Sequence, residues 1–133
     1  MKNKKWGRII NILSVSAKES LPNMFLSNTV RPAVLGFSKS IASNYASLGI
    51  TVNNLLPSAV LSDRTNFFVN KKANDEGISY DESLKQISAG LPIKRIATTK
   101  EFAQSVVFLA SENASYINGV SLCVDGGSTK GII

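Results

Sequence analysis

A chain of 133 residues, 44% hydrophobic and 18% charged, is long enough for one domain with a buried core and is not disordered. Its single cysteine, Cys123, excludes an intramolecular disulfide, and the lack of any histidine excludes a histidine base or zinc site. The net charge of +6 is divided between Lys2, Lys4, Lys5 and Arg8 at the start and scattered later residues such as Lys71, Lys72, Lys94 and Arg95. That pattern reads as a solvated basic surface and not as a nucleic-acid groove.

After the basic opening, residues 9–13 form a continuous, β-branched apolar run, predicted as a strand covered on both faces. It is too short and too β-rich for a signal peptide, and no run is long enough to span a membrane, so a cytoplasmic location is expected. Residues 14–28 read as a loop. A helix then runs to about Leu48, with Val30, Val34, Phe37, Ile41, Tyr45 and Leu48 forming one apolar stripe. Gly49 ends it.

Residues 50–56 are a second buried strand, stopped by Pro57. A polar segment over 62–92 holds helix-like pieces around Gly77 and an acidic turn at Asp81-Glu82. Thr98 or Thr99 is expected to cap the next helix, with Glu101 in its first turn and Phe102, Val106 and Leu109 facing inward. Residues 120–124 form a third strand, in which Cys123 reads as an inert buried thiol. The alternation predicts an α/β fold with a parallel sheet.

Several strings in this order carry a resemblance. Gly7-Arg8-Ile9-Ile10-Asn11-Ile12-Leu13-Ser14 resembles the strand that delivers the catalytic serine of short-chain dehydrogenases/reductases. Ala33-Val34-Leu35-Gly36-Phe37-Ser38-Lys39-Ser40 resembles the helix after their Tyr-x-x-x-Lys pair. Ile50-Thr51-Val52-Asn53 with Pro57, the stretch from Arg95 to Ser111, and Tyr116-Ile117-Asn118-Gly119 to Asp125-Gly126-Gly127 extend the match over nearly the whole chain. It is similar above all to the 3-oxoacyl-acyl-carrier-protein reductases. The fold implied is the C-terminal half of a Rossmann-type doubly wound parallel sheet, about three strands with flanking helices. Residues 1–133 would form one truncated domain, with 62–92 as its substrate lid.

The resemblance also assigns roles. Ser14 matches the serine that holds the substrate carbonyl; the plainer alternative is a strand-end serine satisfying its own turn. Ser27 stands where the family has the tyrosine acid/base, and an aliphatic hydroxyl is a much weaker acid than a phenol; a pre-helix or N-cap role is the alternative. Arg31 stands where the lysine contacts the cofactor ribose, keeping the charge but not the shape of an ammonium. Pro32 behind it disfavours helical angles at Arg31, or starts the helix about there. Pro57, Val60 and Ser62 match the loop that grips the nicotinamide, with Ser62 alternatively a helix cap. Ser58 replaces a glycine there, at about 1 kcal/mol if the backbone is left-handed.

The Gly-rich turn that holds a dinucleotide pyrophosphate has no counterpart in these residues. An NAD- or NADP-dependent reductase of carbonyl or acyl substrates is therefore expected to need another chain for the N-terminal half, with water or a lid group such as Tyr80 as proton source. The alternative is a non-catalytic relative kept as an assembly subunit. A homo-oligomer is expected under either reading.

Overall fold

The computed structural model describes residues 1–131. Three parallel strands, β1 (Gly7–Ile12), β2 (Ile50–Pro57) and β3 (Ser121–Val124), form one sheet in the order β1-β2-β3. Gly7 pairs with Ile50 through to Ile12 with Leu55, and Asn54 with Ser121 through to Pro57 with Val124. The helices are α1 (Phe25–Tyr45), α2 (Asp63–Glu76), α3 (Tyr80–Ala89) and α4 (Thr99–Ala110). The open three-stranded α/β sheet with flanking helices is the architecture expected from the sequence.

The central strand explains the core. Residues 50–56 of β2 are all buried, which requires cover on both faces. On one face Leu56 packs with Val15, Ala17 and Leu35; on the other Leu55 packs with Leu109, Ala114, Phe102 and Val106. The inward set predicted for α4 is thus the one observed. Cys123 packs against the Leu56 cluster but is only partly buried.

The polar residues of this strand are also held inside. Asn53 is fully buried; its amide donates to the Ile117 carbonyl and its carbonyl accepts from the Val120 N–H. Asn54 accepts from Asn11 at 3.0 Å and donates to Ser121 Oγ at 3.1 Å. Asn118 accepts from the Val52 N–H and donates to the Ala42 carbonyl, tying β2 to α1. Each bond offsets the desolvation of a buried amide.

Two expectations about α1 are corrected. The helix starts at Phe25, so Ser27 and Asn28 lie in its first turn rather than in a loop, and its N-cap is Met24, not Ser27. Pro32 sits inside α1, and Arg31 is helical. The missing proline N–H leaves only the Asn28 carbonyl without its helical donor, while the Asn28 side chain clamps Leu21 through both its N–H and C=O. The apolar stripe also divides. The fully buried residues of α1 are Ser38 and Ala42, whereas Val30 and Phe37 are 56% and 67% exposed. Small residues let the helix lie close on the sheet, and the bulky ones turn outward with Phe25 and Leu26. Gly49 ends the following 3-10 turn at φ 68°, where a Cβ would meet the Lys5 carbonyl oxygen at 2.2 Å.

Asp81 and Glu82 form no separate turn; they are the first turn of α3, capped by Ser79. Ser62 caps α2, and Thr98 caps α4 in a reciprocal box with Glu101.

Candidate active site

In a parallel sheet the strands end on the same side, and their C-terminal loops gather into one crevice. Here the loops after β1, β2 and β3 meet the first turns of α1 and α2 around a cavity of about 700 Å³. Ser14, Ser27, Arg31, Pro57, Val60 and Ser62 all line it. Residues up to 48 positions apart in the chain are thus brought to one cavity.

Ser14 ends the β1 segment in an extended conformation, and its Oγ accepts the Ser16 N–H at 3.2 Å. The turn role and the site role coexist, because accepting that bond leaves the hydroxyl proton available to donate. Ser27 and Arg31 stand one turn apart on α1, so they share a face. Arg31 Nη1 donates to Ser16 Oγ at 3.4 Å, and no carboxylate pairs with Arg31 among the described residues.

The loop from Pro57 to Ser62 is braced from two sides. Ser58 Oγ contacts the Asp125 carbonyl at 3.3 Å and Ser128 Oγ at 3.2 Å. Ser58 is not among the residues with positive φ, so it carries no left-handed strain in place of glycine. Ala97 donates to Ala59 and accepts from Leu61, which makes a parallel bridge at Val60. The N–H and C=O of Val60 therefore point away from Ala97; the C=O accepts the Thr65 hydroxyl at 2.6 Å. Partial burial pushes the Asp125 carboxyl up, but donors of Thr129 and Gly127 outweigh it and hold it below the usual aspartate value. An ionised Asp125 therefore fixes the turn against which Ser58 rests.

Four polar residues of the cavity are absent from the sequence reading: Glu19, Arg64, Thr65 and Ser128. Ser128 directly follows Gly126-Gly127, and Arg64 lies two residues after Ser62, so proximity to matched strings was the available signal. The apolar part of the wall includes Leu21 and Met24 before α1, Phe68 and Val69 of α2, Ile87 of α3 and Leu91 after it. Tyr80 is not part of it; its hydroxyl donates to Asn66 Oδ1 at 2.8 Å. The site therefore offers hydroxyl donors, a guanidinium, the Glu19 carboxyl, an outward-facing backbone edge and an apolar slot, but no phenol.

Comparison with known proteins identifies a family. Its profile, described as Enoyl-(Acyl carrier protein) reductase, matches residues 1–129. The chain is 41% identical over 132 residues to the NADPH-dependent reductase BacG of Bacillus subtilis, covering 99% of this chain and 51% of that protein. It is 37% identical over 127 residues to the 3-oxoacyl-acyl-carrier-protein reductase FabG of Haemophilus influenzae, covering 96% and 48%. The structure superposes on L-sorbose reductase from Gluconobacter frateurii, complexed with NADPH and L-sorbose, with a TM-score of 0.93 at 31% identity, covering 99% and 51%. The chain spans about half the length of the curated relatives it matches.

Proposed function

The chain belongs to the short-chain dehydrogenase/reductase family, and we propose that it forms the substrate-side half of an NAD(P)-dependent reductase of carbonyl or acyl compounds. The observation that carries this is the convergence of Ser14, Ser27, Arg31 and the loop from Pro57 to Ser62 on one cavity at the strand ends. Relatives described as NADPH-dependent support the cofactor class.

The residues present fit one end of a nicotinamide dinucleotide. The outward N–H of Val60 and the Ser62 hydroxyl suit its carboxamide, and Arg31 suits the ribose hydroxyls. That cofactor supplies a hydride when bound. Ser14 orients the substrate carbonyl by donating its hydroxyl proton. Ser27 is too weak an acid to protonate the oxygen, Tyr80 is engaged with Asn66 and Glu19 with the Lys130 N–H, so the proton comes from water entering the cavity. The Gly-rich pyrophosphate turn lies outside residues 1–133, and these residues are inactive until it is supplied.

Co-expression with the N-terminal segment of the Bacillus relative, followed by NADPH oxidation against a panel of ketones and acyl thioesters, tests the reading. Turnover with at least one compound is expected, and none with the 133 residues alone. Silence across the panel from a correctly folded assembly rejects it.

A second reading has its own support. Ser27 removes the usual acid, and α1 exposes Phe25, Leu26, Val30 and Phe37. A non-catalytic subunit that associates through this face, with its own copy or with a chain supplying the N-terminal half, accounts for both. Saturable NADPH binding by the assembly favours the enzyme; stable association without NADPH binding favours the subunit.

A further inference from the structure

A ladder of polar side chains crosses the sheet on one face. Asn11 of β1, Asn54 of β2 and Ser121 of β3 are register partners. Asn11 Nδ2 donates to Asn54 Oδ1 at 3.0 Å, and Asn54 Nδ2 donates to Ser121 Oγ at 3.1 Å. The direction of the ladder is fixed from α1. Ser38 spends its hydroxyl proton on the Val34 carbonyl at 2.7 Å, so toward Asn11 Nδ2 at 2.9 Å it can only accept. Both hydrogens of the Asn11 amide are therefore committed. Asn11 Oδ1, on the edge strand, receives no donor among the described residues.

The backbone of β1 is open at the same edge. The Gly7 N–H donates to the Gly49 carbonyl and the Leu13 N–H to the Leu55 carbonyl, both toward β2. By alternation the N–H groups of Arg8, Ile10 and Ile12 face outward. A second copy of β1 does not complete the ladder. In antiparallel pairing Gly7, Ile9 or Asn11 would stand opposite Asn11 on its face; the first two have no side-chain donor, and the last has none left. Both pairs already present in the sheet are parallel, and sheets favour one sense throughout. We propose that β1 docks a parallel strand from the chain that supplies the N-terminal half, and that this strand carries an amide or hydroxyl donor opposite Asn11. The inference rests on the reading that such a chain completes these residues, which span about half the length of their relatives.

The test is hydrogen exchange, followed by NMR, of the 133-residue chain alone and assembled with the N-terminal segment of the Bacillus relative. Assembly should slow exchange of the Arg8, Ile10 and Ile12 N–H groups by about tenfold or more, and leave the Cys123 N–H at the opposite edge unchanged. Cross-strand contacts should place Asn, Gln, Ser or Thr of the partner opposite Asn11, and its replacement by Leu should weaken association about tenfold. Ile12→Pro removes an outward donor and spares the Leu13 bond to β2; it should weaken association by a similar factor. Thermal melts of each chain alone separate a blocked edge from a lost fold. An apolar residue opposite Asn11, no association, or protection at the β3 edge instead overturns the proposal. Protection of the same N–H groups in the 133-residue chain alone also overturns it, assigning the edge to a second copy. NADPH turnover by an assembly whose β1 edge still exchanges freely rejects the docked strand and leaves the reductase reading standing. A protected edge without turnover on any compound rejects the reductase reading and keeps the docked strand.

Discussion

Ser14 and Ser27 carry the same hydroxyl and are placed for different chemistry. Ser14 accepts a backbone N–H that orients its Oγ and leaves its hydroxyl proton free to donate into the cavity. Removing one such donor costs on the order of a hundredfold in rate, and Ser14→Ala should lower kcat/KM of the reconstituted assembly by about that factor with little change in melting temperature. Ser27 shares a helix face with Arg31 but lacks the acidity of a phenol. Ser27→Tyr combined with Arg31→Lys should therefore raise carbonyl turnover by about a hundredfold or more, the usual yield of a placed general acid. An unchanged rate would show that proton delivery does not limit this site.

Glu101 illustrates a titrating group at the same scale. Arg95 and Thr98 donate to its carboxylate, with both Arg95 contacts under 3 Å, and hold its pKa down at about 2. The folded value is depressed, so the stabilisation is present above the ordinary glutamate pKa and is lost as pH falls from about 4.5 to about 2. Thermal melts of the parent and Glu101→Gln should differ at pH 7 and converge near pH 2. A difference that stays constant with pH would deny the pair that role.

At the scale of elements, caps and buried amides decide whether helices and strands hold together. Thr98 begins α4 with a reciprocal capping box, and Thr98→Ala should lower stability by about 1 kcal/mol in denaturant titrations. Asn53 is the more demanding position. Asn53→Leu leaves the Val120 N–H and the Ile117 carbonyl without their partner, a loss of about 1–3 kcal/mol for each stranded group. Urea unfolding should show a loss larger than that for Thr98→Ala.

How far these elements could be read ahead depends on which signal marks them. The strand cores, the α4 face and the Thr98 cap were legible, because continuous β-branched runs and a capping box are local patterns. The start of α1 was not, since Pro22, Asn23 and Pro32 are loop-like in isolation and only packing on the sheet holds Pro32 in a helix. The outward turn of Val30 and Phe37 was equally hidden. Periodicity counts apolar residues on a helix but cannot say which of two apolar faces meets the sheet, and here small Ser38 and Ala42 won by permitting close approach.

At the scale of the whole molecule, surface remains to be covered. β1 and β3 are both sheet edges, Ile12 is 58% exposed, and α1 presents Phe25, Leu26, Val30 and Phe37 outward. Unpaired strand edges and contiguous apolar faces favour association. Light scattering should find a species larger than a monomer, and Phe37→Glu should shift it toward the monomer without unfolding it. A monodisperse parent monomer would count against both functional readings.

The sequence by itself determined the family, the order of strands and helices, and the identity of the groups at Ser14, Ser27, Arg31, Pro57, Val60 and Ser62, because each rests on local strings and side-chain chemistry. Only the tertiary structure decided that these groups share one cavity with Arg64, Glu19 and Ser128, and that neither arginine there is ion-paired among the described residues. Which distant residues meet is set by how parallel strands end on one side of the sheet, a property of the packed chain and not of any segment in it.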